Sequence, residues 1–169
     1  VERCNEIASR YGYNGLRFEV ADVTSDKLAD TPIDMIVIML GTNDTKSTLK
    51  MSPYVIAHGI ERLIAKIRAA ACGPRGESPQ ILVVSPIRMR EGVDKQWLRG
   101  EFDAESLVRD GLLAGEYQRV AEDAQVDFLD AGKVVTADPA DCIHMNEEGH
   151  ARFAELLYGK ILEMEKRNP

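Results

Sequence analysis

The chain has 169 residues, of which 44% are hydrophobic and 29% charged, so it is long enough to bury one sizeable core and fits a single domain spanning residues 1–169. Its formal net charge of −7 argues against a nucleic-acid partner, because phosphate binding requires clustered lysine and arginine. No apolar run approaches the roughly 20 residues of a membrane-crossing helix, so we expect no membrane span.

The three cysteines, Cys4, Cys72 and Cys142, are an odd number at irregular separations. This pattern fits neither a disulfide framework nor a zinc site, and we therefore expect reduced thiols in a cytoplasmic protein without a metal. The first residue, Val1, is not methionine, and we expect the chain to be the remainder of something longer, an N-terminally incomplete domain.

The first thirty residues allow more than one interpretation. Residues 2–11 could form a helix, with Ile7 and Tyr11 on one face, or a strand that enters a loop. Residues 16–28 have a weak helical pattern that Thr24 and Ser25 interrupt. Both possibilities stay open at this point.

Three short segments predict parallel strands buried on both faces: residues 33–40, 80–84 and 126–129. Each is rich in isoleucine, valine or leucine and is bounded by turn residues. Helical patterns separate them, which is typical of right-handed crossovers in an open parallel sheet. The sequence therefore predicts an α/β fold.

The helices are expected over residues 53–71, over residues 106–124 and from about Asn146 onward. Pro53 suits a first helical turn and Asn146 is a good capping residue. Gly111 and Gly115 weaken the first half of the second helix. Residues 89–104, which include Trp97, are too long for a tight connection and are expected to cover the carboxyl ends of the strands as a partial lid.

The tetrapeptide Gly41-Thr42-Asn43-Asp44 follows the first predicted strand, at the edge of the sheet where ligands bind in open α/β folds. Gly41 allows a sharp turn, Asn43 offers a neutral amide donor that could stabilise a developing oxyanion, and Asp44 could fix the loop by accepting backbone N–H groups. An ordinary strand-to-helix turn uses the same residue types, so the tetrapeptide alone does not decide between these interpretations.

The second chemical motif is Asp141-Cys142-Ile143-His144, which lies after the third predicted strand and before the last helix. An aspartate three residues before a histidine can accept from its Nδ1–H, which leaves Nε2 available as a general base. A helix-capping aspartate with an incidental histidine explains an isolated Asp-x-x-His pattern more simply than a catalytic pair does. His58 and His150 are expected to be surface or helix-packing residues.

Together, MIVIMLGTNDTK from Met35, VVSPIR from Val83 and DCIHMNEEGHARFAELL from Asp141 resemble the sequence blocks of the SGNH hydrolases, the GDSL-type esterases. The arylesterase and acyltransferase branch is the most similar, from about Ile33 to the end of the chain. The resemblance implies a flavodoxin-like three-layer sandwich with a parallel sheet and no cofactor. It also implies that His144 is the general base, Asp141 its orienting acid, Asn43 an oxyanion-hole donor and Gly41 the support of that turn.

The family's nucleophilic serine belongs to a Gly-Asp-Ser block, and this chain contains neither that block nor a Gly-x-Ser-x-Gly elbow. We expect the serine upstream of Val1, with the first strand and first helix absent from this chain. Gly12 and Gly15 are weak candidates for the second oxyanion-hole glycine. Ser85 is expected in a loop and Ser47 at a helix cap.

The leading hypothesis is a serine esterase, acylhydrolase or acyltransferase acting on small carboxylic esters through an acyl-enzyme intermediate. The alternative is a catalytically inactive SGNH-like binding or assembly module. A nucleotide-binding protein is disfavoured because Asp44 would repel phosphate. The open sheet edge left by an absent strand makes a homo-oligomer possible.

Overall fold

The computed structural model describes residues 32–95 and 100–167, in which three parallel strands form one sheet. The strands are β1 (Met35–Ile38), β2 (Gln80–Ser85) and β3 (Asp127–Asp130), in the order β1-β2-β3. The register places Ile36 beside Ile81 and Val83 beside Phe128. The expected α/β class is confirmed, and the strand bounds differ from those expected mainly at β1, which is shorter at both ends.

Burial on both faces holds for only one of the three strands. Every residue of β2 after Gln80 is buried, whereas β3 is half-buried and Val37 of β1 is 36% exposed. The expectation was therefore wrong for β1 and β3. The helices cover the centre of the described sheet more fully than its outer strands. The apolar sequence of β1 does not reveal this difference, whereas β3 contains Asp127 and Asp130.

Three helices flank the sheet: α1 (Pro53–Ala70), α2 (Ala104–Asp123) and α3 (Glu147–Arg167). The Ser52 hydroxyl accepts the Val55 amide at 3.3 Å before α1, and Asn146 Oδ1 accepts the Gly149 amide at 2.8 Å before α3. Helix α2 begins two residues earlier than expected, because the Asp103 carboxylate caps it.

Alternate residues of β2 enter opposite layers of the core. Ile81 and Val83 pack with α1 and α2, while Leu82 and Val84 pack with α3. This alternation is the period of a strand buried on both faces, and it produces a helix-sheet-helix sandwich.

Helix α2 continues through Gly111, where the absence of a side chain makes room for another residue. A Cβ atom at Gly111 would lie 2.8 Å from Nη2 of Arg88, and one at Gly132 would lie 2.9 Å from Cγ of Arg88. Arg88 Nη1 also donates to the Asp110 carbonyl oxygen at 3.3 Å. Gly111 and Gly132 therefore leave space for the side chain of Arg88, which follows β2 and hydrogen-bonds the backbone of α2.

The connection from β2 to α2 carries a small apolar cluster of its own above the sheet. Met89, Val93 and Phe102 pack there against Cys142 and Ile143. Trp97 and residues 1–31 lie outside the described residues. The alternatives for the amino end and the glycine candidates Gly12 and Gly15 fall within residues 1–31. The lid over residues 89–104 stays a prediction.

Candidate active site

The Asp-x-x-His motif forms a closed turn in which Asp141 holds His144. Asp141 Oδ2 lies 2.7 Å from His144 Nδ1, while Oδ1 accepts the backbone amides of Ile143 at 2.9 Å and His144 at 2.8 Å. A carboxylate oxygen at Nδ1 favours the tautomer with the proton on that nitrogen. The lone pair of Nε2 is then available to accept a proton.

The environment of Asp141 keeps its carboxylate ionised. Burial acts to raise the pKa of this group, but the hydrogen bonds from the backbone of His144 and Ile143 and from the imidazole outweigh it, so the pKa lies below its usual value. The side chain of Asp141 is 23% exposed and that of His144 is 68% exposed. An anionic Asp141 can therefore stabilise a protonated imidazole that still reaches solvent.

The turn requires an uncommon backbone conformation at its second residue. Cys142 has φ of 66°, in the left-handed region that residues other than glycine rarely adopt. Its amide donates to the Asp138 carbonyl at 2.7 Å, and its carbonyl accepts the Arg90 amide at 3.0 Å. Arg90 also donates through Nε to the Ala137 carbonyl. These bonds hold the strained turn in place.

The Gly-Thr-Asn-Asp motif forms a 3₁₀ turn, Thr42–Thr45, directly beyond β1. Gly41 has φ of 116°, which favours glycine, and its carbonyl accepts the Asp44 amide at 3.0 Å. The side chain of Asn43 is exposed and makes no hydrogen bond within the described part of the chain. Its amide is thus available to a ligand.

Asp44 contributes to this turn through its backbone amide. Within residues 32–95 and 100–167, no hydrogen bond reaches its carboxylate, and the carbonyl of Thr45 is held instead by Arg109 Nε at 3.1 Å. The charge of Asp44 acts on Tyr117, which lies beneath the turn. Support of the turn by the Asp44 carboxylate stays a prediction.

Tyr117 is the residue that fits Gly41 most closely. Its hydroxyl donates to the Leu40 carbonyl at 2.9 Å, and a Cβ atom at Gly41 would overlap that hydroxyl oxygen. In the sequence, Tyr117 is one of several apolar residues at helical spacing within the helix expected over residues 106–124. No local signal could have identified its partner, which lies 77 positions earlier in the chain.

Residues 100–102 connect the two turns. Lys46, just after the first turn, pairs with Glu101 at 2.5 Å and lies 5.7 Å from the centre of the Phe102 ring. Phe102 packs in the same cluster as Cys142 and Ile143 of the second turn. The second turn lies beyond the carboxyl end of β2, because Arg90, five residues after that strand, donates its amide to the Cys142 carbonyl. The first turn directly follows β1, which is parallel to β2, so both turns lie beyond the same edge of the sheet.

The described serines near this edge are engaged in structural contacts. Ser85 is the last residue of β2, not a loop residue as expected, and its buried hydroxyl donates to Asp130 Oδ1 at 3.1 Å. Ser47 was expected at a helix cap but donates instead to the carbonyls of Gly100 and Glu101, at 3.0 and 3.1 Å.

The other two histidines lie on helix surfaces, as expected. His58 is exposed on α1 and its Nδ1 lies 2.7 Å from Glu61 Oε2, while His150 is exposed on α3. Among the described residues, no group of three or more His, Cys, Asp or Glu side chains is arranged to hold a metal ion. None of the described helices is long and apolar enough to cross a membrane.

A family model described as the GDSL-like lipase/acylhydrolase family matches residues 5–152 of the chain. Est24, a carbohydrate acetylesterase from Sinorhizobium meliloti, is similar at 30% identity with a TM-score of 0.74, over 89% of this chain and 72% of that one. The inhibitor-bound aryl esterase of M. smegmatis is similar at 31% identity with a TM-score of 0.70, over 80% of this chain and 64% of that one.

A further structure, a carbohydrate acetylesterase family member from Sinorhizobium meliloti, has 24% identity and a TM-score of 0.76, over 94% of this chain and 84% of that one, and supports the fold alone. This chain therefore spans less than two thirds of the aryl esterase and more of the two acetylesterase structures. No curated protein sequence matches the chain.

Proposed function

Because the chain belongs to the GDSL-like lipase/acylhydrolase family of SGNH hydrolases, we propose that it acts on small carboxylic esters as a serine esterase with an acyl-enzyme intermediate. The observation that carries the proposal is the hydrogen bond of 2.7 Å between Asp141 and His144 Nδ1. A histidine held in this way beyond the carboxyl ends of the strands can serve as the general base of a hydrolytic triad.

The proposed reaction uses His144 twice. Its Nε2 removes the proton from a serine hydroxyl as the serine oxygen attacks the ester carbonyl carbon, and Asp141 stabilises the imidazolium that results. The protonated imidazole then donates to the departing alkoxide as the C–O bond breaks. Water repeats the sequence to release the acid, whereas an alcohol in place of water would give acyl transfer.

Asn43 is proposed to stabilise the tetrahedral intermediate. Its exposed side-chain amide lies in a turn beyond the carboxyl end of β1, and the turn with His144 is bonded to Arg90, beyond the carboxyl end of the parallel strand β2. We propose that the two side chains converge on one substrate and that Asn43 donates to its oxyanion. Gly41 and Asp44 are proposed to support this turn.

We place the nucleophilic serine upstream of Val1, in the Gly-Asp-Ser block that the family resemblance implies. Ser85 is a poor candidate, because its hydroxyl is 1% exposed and donates to Asp130 rather than to a histidine. The names of the similar structures, an aryl esterase and a carbohydrate acetylesterase, support a small ester as the substrate.

The test is the hydrolysis of p-nitrophenyl acetate by the natural full-length protein and its His144→Ala variant. We expect kcat to fall by at least about 10³-fold, since a triad residue is removed. His150→Ala, which removes an exposed histidine from α3, is the matched control and should keep its activity. Comparable activity in His144→Ala and the wild type would refute the assignment.

The same experiment separates the proposal from the alternative of an inactive binding or assembly module. That alternative predicts no turnover by the wild-type full-length protein together with retained binding of acyl ligands.

We also propose a cytoplasmic location, based on the odd number of cysteines, which cell fractionation would test. Light scattering would test the proposed homo-oligomer, for which the exposure of Leu40 and Val37 beside β1 is the supporting observation.

A further inference from the structure

In the turn that carries Asn43, five of the six carbonyl oxygens from Leu40 to Thr45 accept donors from the protein itself, the exception being that of Asp44. The five acceptors and their donors are Leu40 with the Tyr117 hydroxyl at 2.9 Å, Gly41 with the Asp44 amide at 3.0 Å, Thr42 with the Thr45 hydroxyl at 2.7 Å, Asn43 with the Lys46 amide at 3.3 Å and Thr45 with Arg109 Nε at 3.1 Å. A carbonyl oxygen directed at a developing oxyanion would repel it, so these bonds keep the negative ends of the peptide dipoles engaged elsewhere.

Two of these donors come from one face of α2. Arg109 and Tyr117 are eight residues apart, about two helical turns or 12 Å along the axis, with the buried Leu113 between them. One donor contacts Leu40, two residues before the turn, and the other contacts Thr45, the last residue of the turn. Two side chains of helix α2 therefore hydrogen-bond the backbone on both sides of Asn43.

Both donors are themselves held in place. The side chain of Arg109 is 12% exposed and is bound by Asp103 at 3.3 Å, Glu105 at 3.2 Å and the Ser106 hydroxyl at 3.2 Å. Tyr117 is fully buried, and this burial, with the charges of Asp44 and Asp110, raises the pKa of its phenol. The phenol stays protonated and remains a donor.

We propose that Arg109 and Tyr117 are positioning residues that hold the Asn43 turn in the orientation required to stabilise an oxyanion. The inference rests on the proposed esterase function for its catalytic consequence, but the restraint on the turn is a property of the folded chain. A donor that acts only on the transition state affects kcat more than KM, so loss of its alignment should do the same.

The decisive variant is Tyr117→Phe in the natural full-length protein, because it removes the hydroxyl and keeps the buried ring. We expect kcat for p-nitrophenyl acetate to fall about 10- to 100-fold, less than complete loss of an oxyanion donor, with KM within about twofold. Tyr54→Phe, which removes a hydroxyl from an exposed tyrosine of α1, is the matched control and should match the wild type.

A double-mutant cycle with Asn43→Ala distinguishes positioning from general destabilisation. If Tyr117 acts through Asn43, Tyr117→Phe should change kcat less than about twofold in the Asn43→Ala background. An equal fall of kcat in both backgrounds, or no fall in either, would overturn the proposal. Arg109→Lys, which loses Nε at the other end of the turn and leaves the buried ring intact, tests the same claim if Tyr117→Phe does not fold.

Amide hydrogen exchange provides a measurement that does not depend on turnover. We expect Tyr117→Phe and Arg109→Lys to accelerate exchange at residues 42–46 about tenfold, with residues 141–145 unchanged. Unchanged exchange at residues 42–46 would refute the restraint itself. If the wild-type protein hydrolyses no ester while exchange responds as expected, the proposed function fails and the restraint on the turn does not.

Discussion

Replacing Gly41 by alanine tests how closely Tyr117 fits the turn. The added Cβ would overlap the Tyr117 hydroxyl oxygen, whereas the next atoms, Tyr117 Cζ and Ile56 Cγ2, lie at 3.2 and 3.4 Å. A left-handed φ of 116° costs an alanine about 1–2 kcal/mol, and overpacking in a buried site costs about 1–3 kcal/mol more. We expect Gly41→Ala to lower the free energy of unfolding by about 2–5 kcal/mol.

Gly76→Ala isolates the contribution of backbone conformation. Gly76 has φ of 81°, and nothing lies within 4 Å of the Cβ that the substitution would add. Urea denaturation should therefore show a loss of only about 1–2 kcal/mol for this control, with an unchanged m-value.

Tyr117→Phe combined with Gly41→Ala isolates the steric contribution. Phenylalanine removes the overlapping oxygen, so the double variant should be at least about 1 kcal/mol more stable than the sum of the two single losses predicts. Strict additivity, or a Gly41→Ala loss no larger than that of Gly76→Ala, would refute the reasoning.

Three further predictions concern residues outside the proposed catalytic groups. Ser85→Ala should retain the esterase activity within about threefold and lose about 1–2 kcal/mol of stability in urea, because it only removes the bond to Asp130. Ala71→Gly should raise the melting temperature by relieving φ of 46°, worth about 1 kcal/mol, whereas Ala70→Gly at the end of α1 should lower it. Burial raises the pKa of Asp110 to about 6, although the hydrogen bond from the Met89 amide and the charge of Arg88 both act to lower it. Ionisation of Asp110 therefore destabilises the fold as the pH rises from about 4 to 6. Asp110→Asn removes this dependence, and its stability relative to the wild type should increase by up to about 3 kcal/mol between pH 4 and pH 7 in urea titrations.

Each of these expectations has a clear contrary result. Loss of turnover in Ser85→Ala would make Ser85 a candidate nucleophile. Equal changes of melting temperature in Ala71→Gly and Ala70→Gly would show that the backbone strain at Ala71 does not decide the effect. Parallel pH profiles for Asp110→Asn and the wild type would show that the buried carboxyl does not titrate in this range.

Local sequence patterns predicted the elements and the Asp-x-x-His turn, because the physics that forms them acts over a few residues. The spacing of Asp141 and His144 closes within one turn, and the caps at Ser52 and Asn146 contact amides three residues away. Alternation of apolar strands and amphipathic stripes likewise indicated the α/β class without any knowledge of long-range contacts.

Long-range contacts account for what the sequence could not predict. Tyr117 is one of several residues on an apolar helical stripe in the sequence, although its hydroxyl donates to the Leu40 carbonyl. Gly111 lowers helix propensity, yet the space it leaves is filled by Arg88. Phe102 lies in the segment that the sequence predicts as a partial lid, and only the tertiary structure shows that this side chain is buried. Composition and periodicity do not indicate which residues far apart in the chain contact each other.

Arg90 fastens the segment before His144 through main-chain atoms, the carbonyls of Ala137 and Cys142. Main-chain carbonyls are present whatever side chain a position bears. Substitutions at the outward-facing positions 139 and 140 should therefore leave both bonds of Arg90 intact, so this segment can change in sequence without losing its attachment.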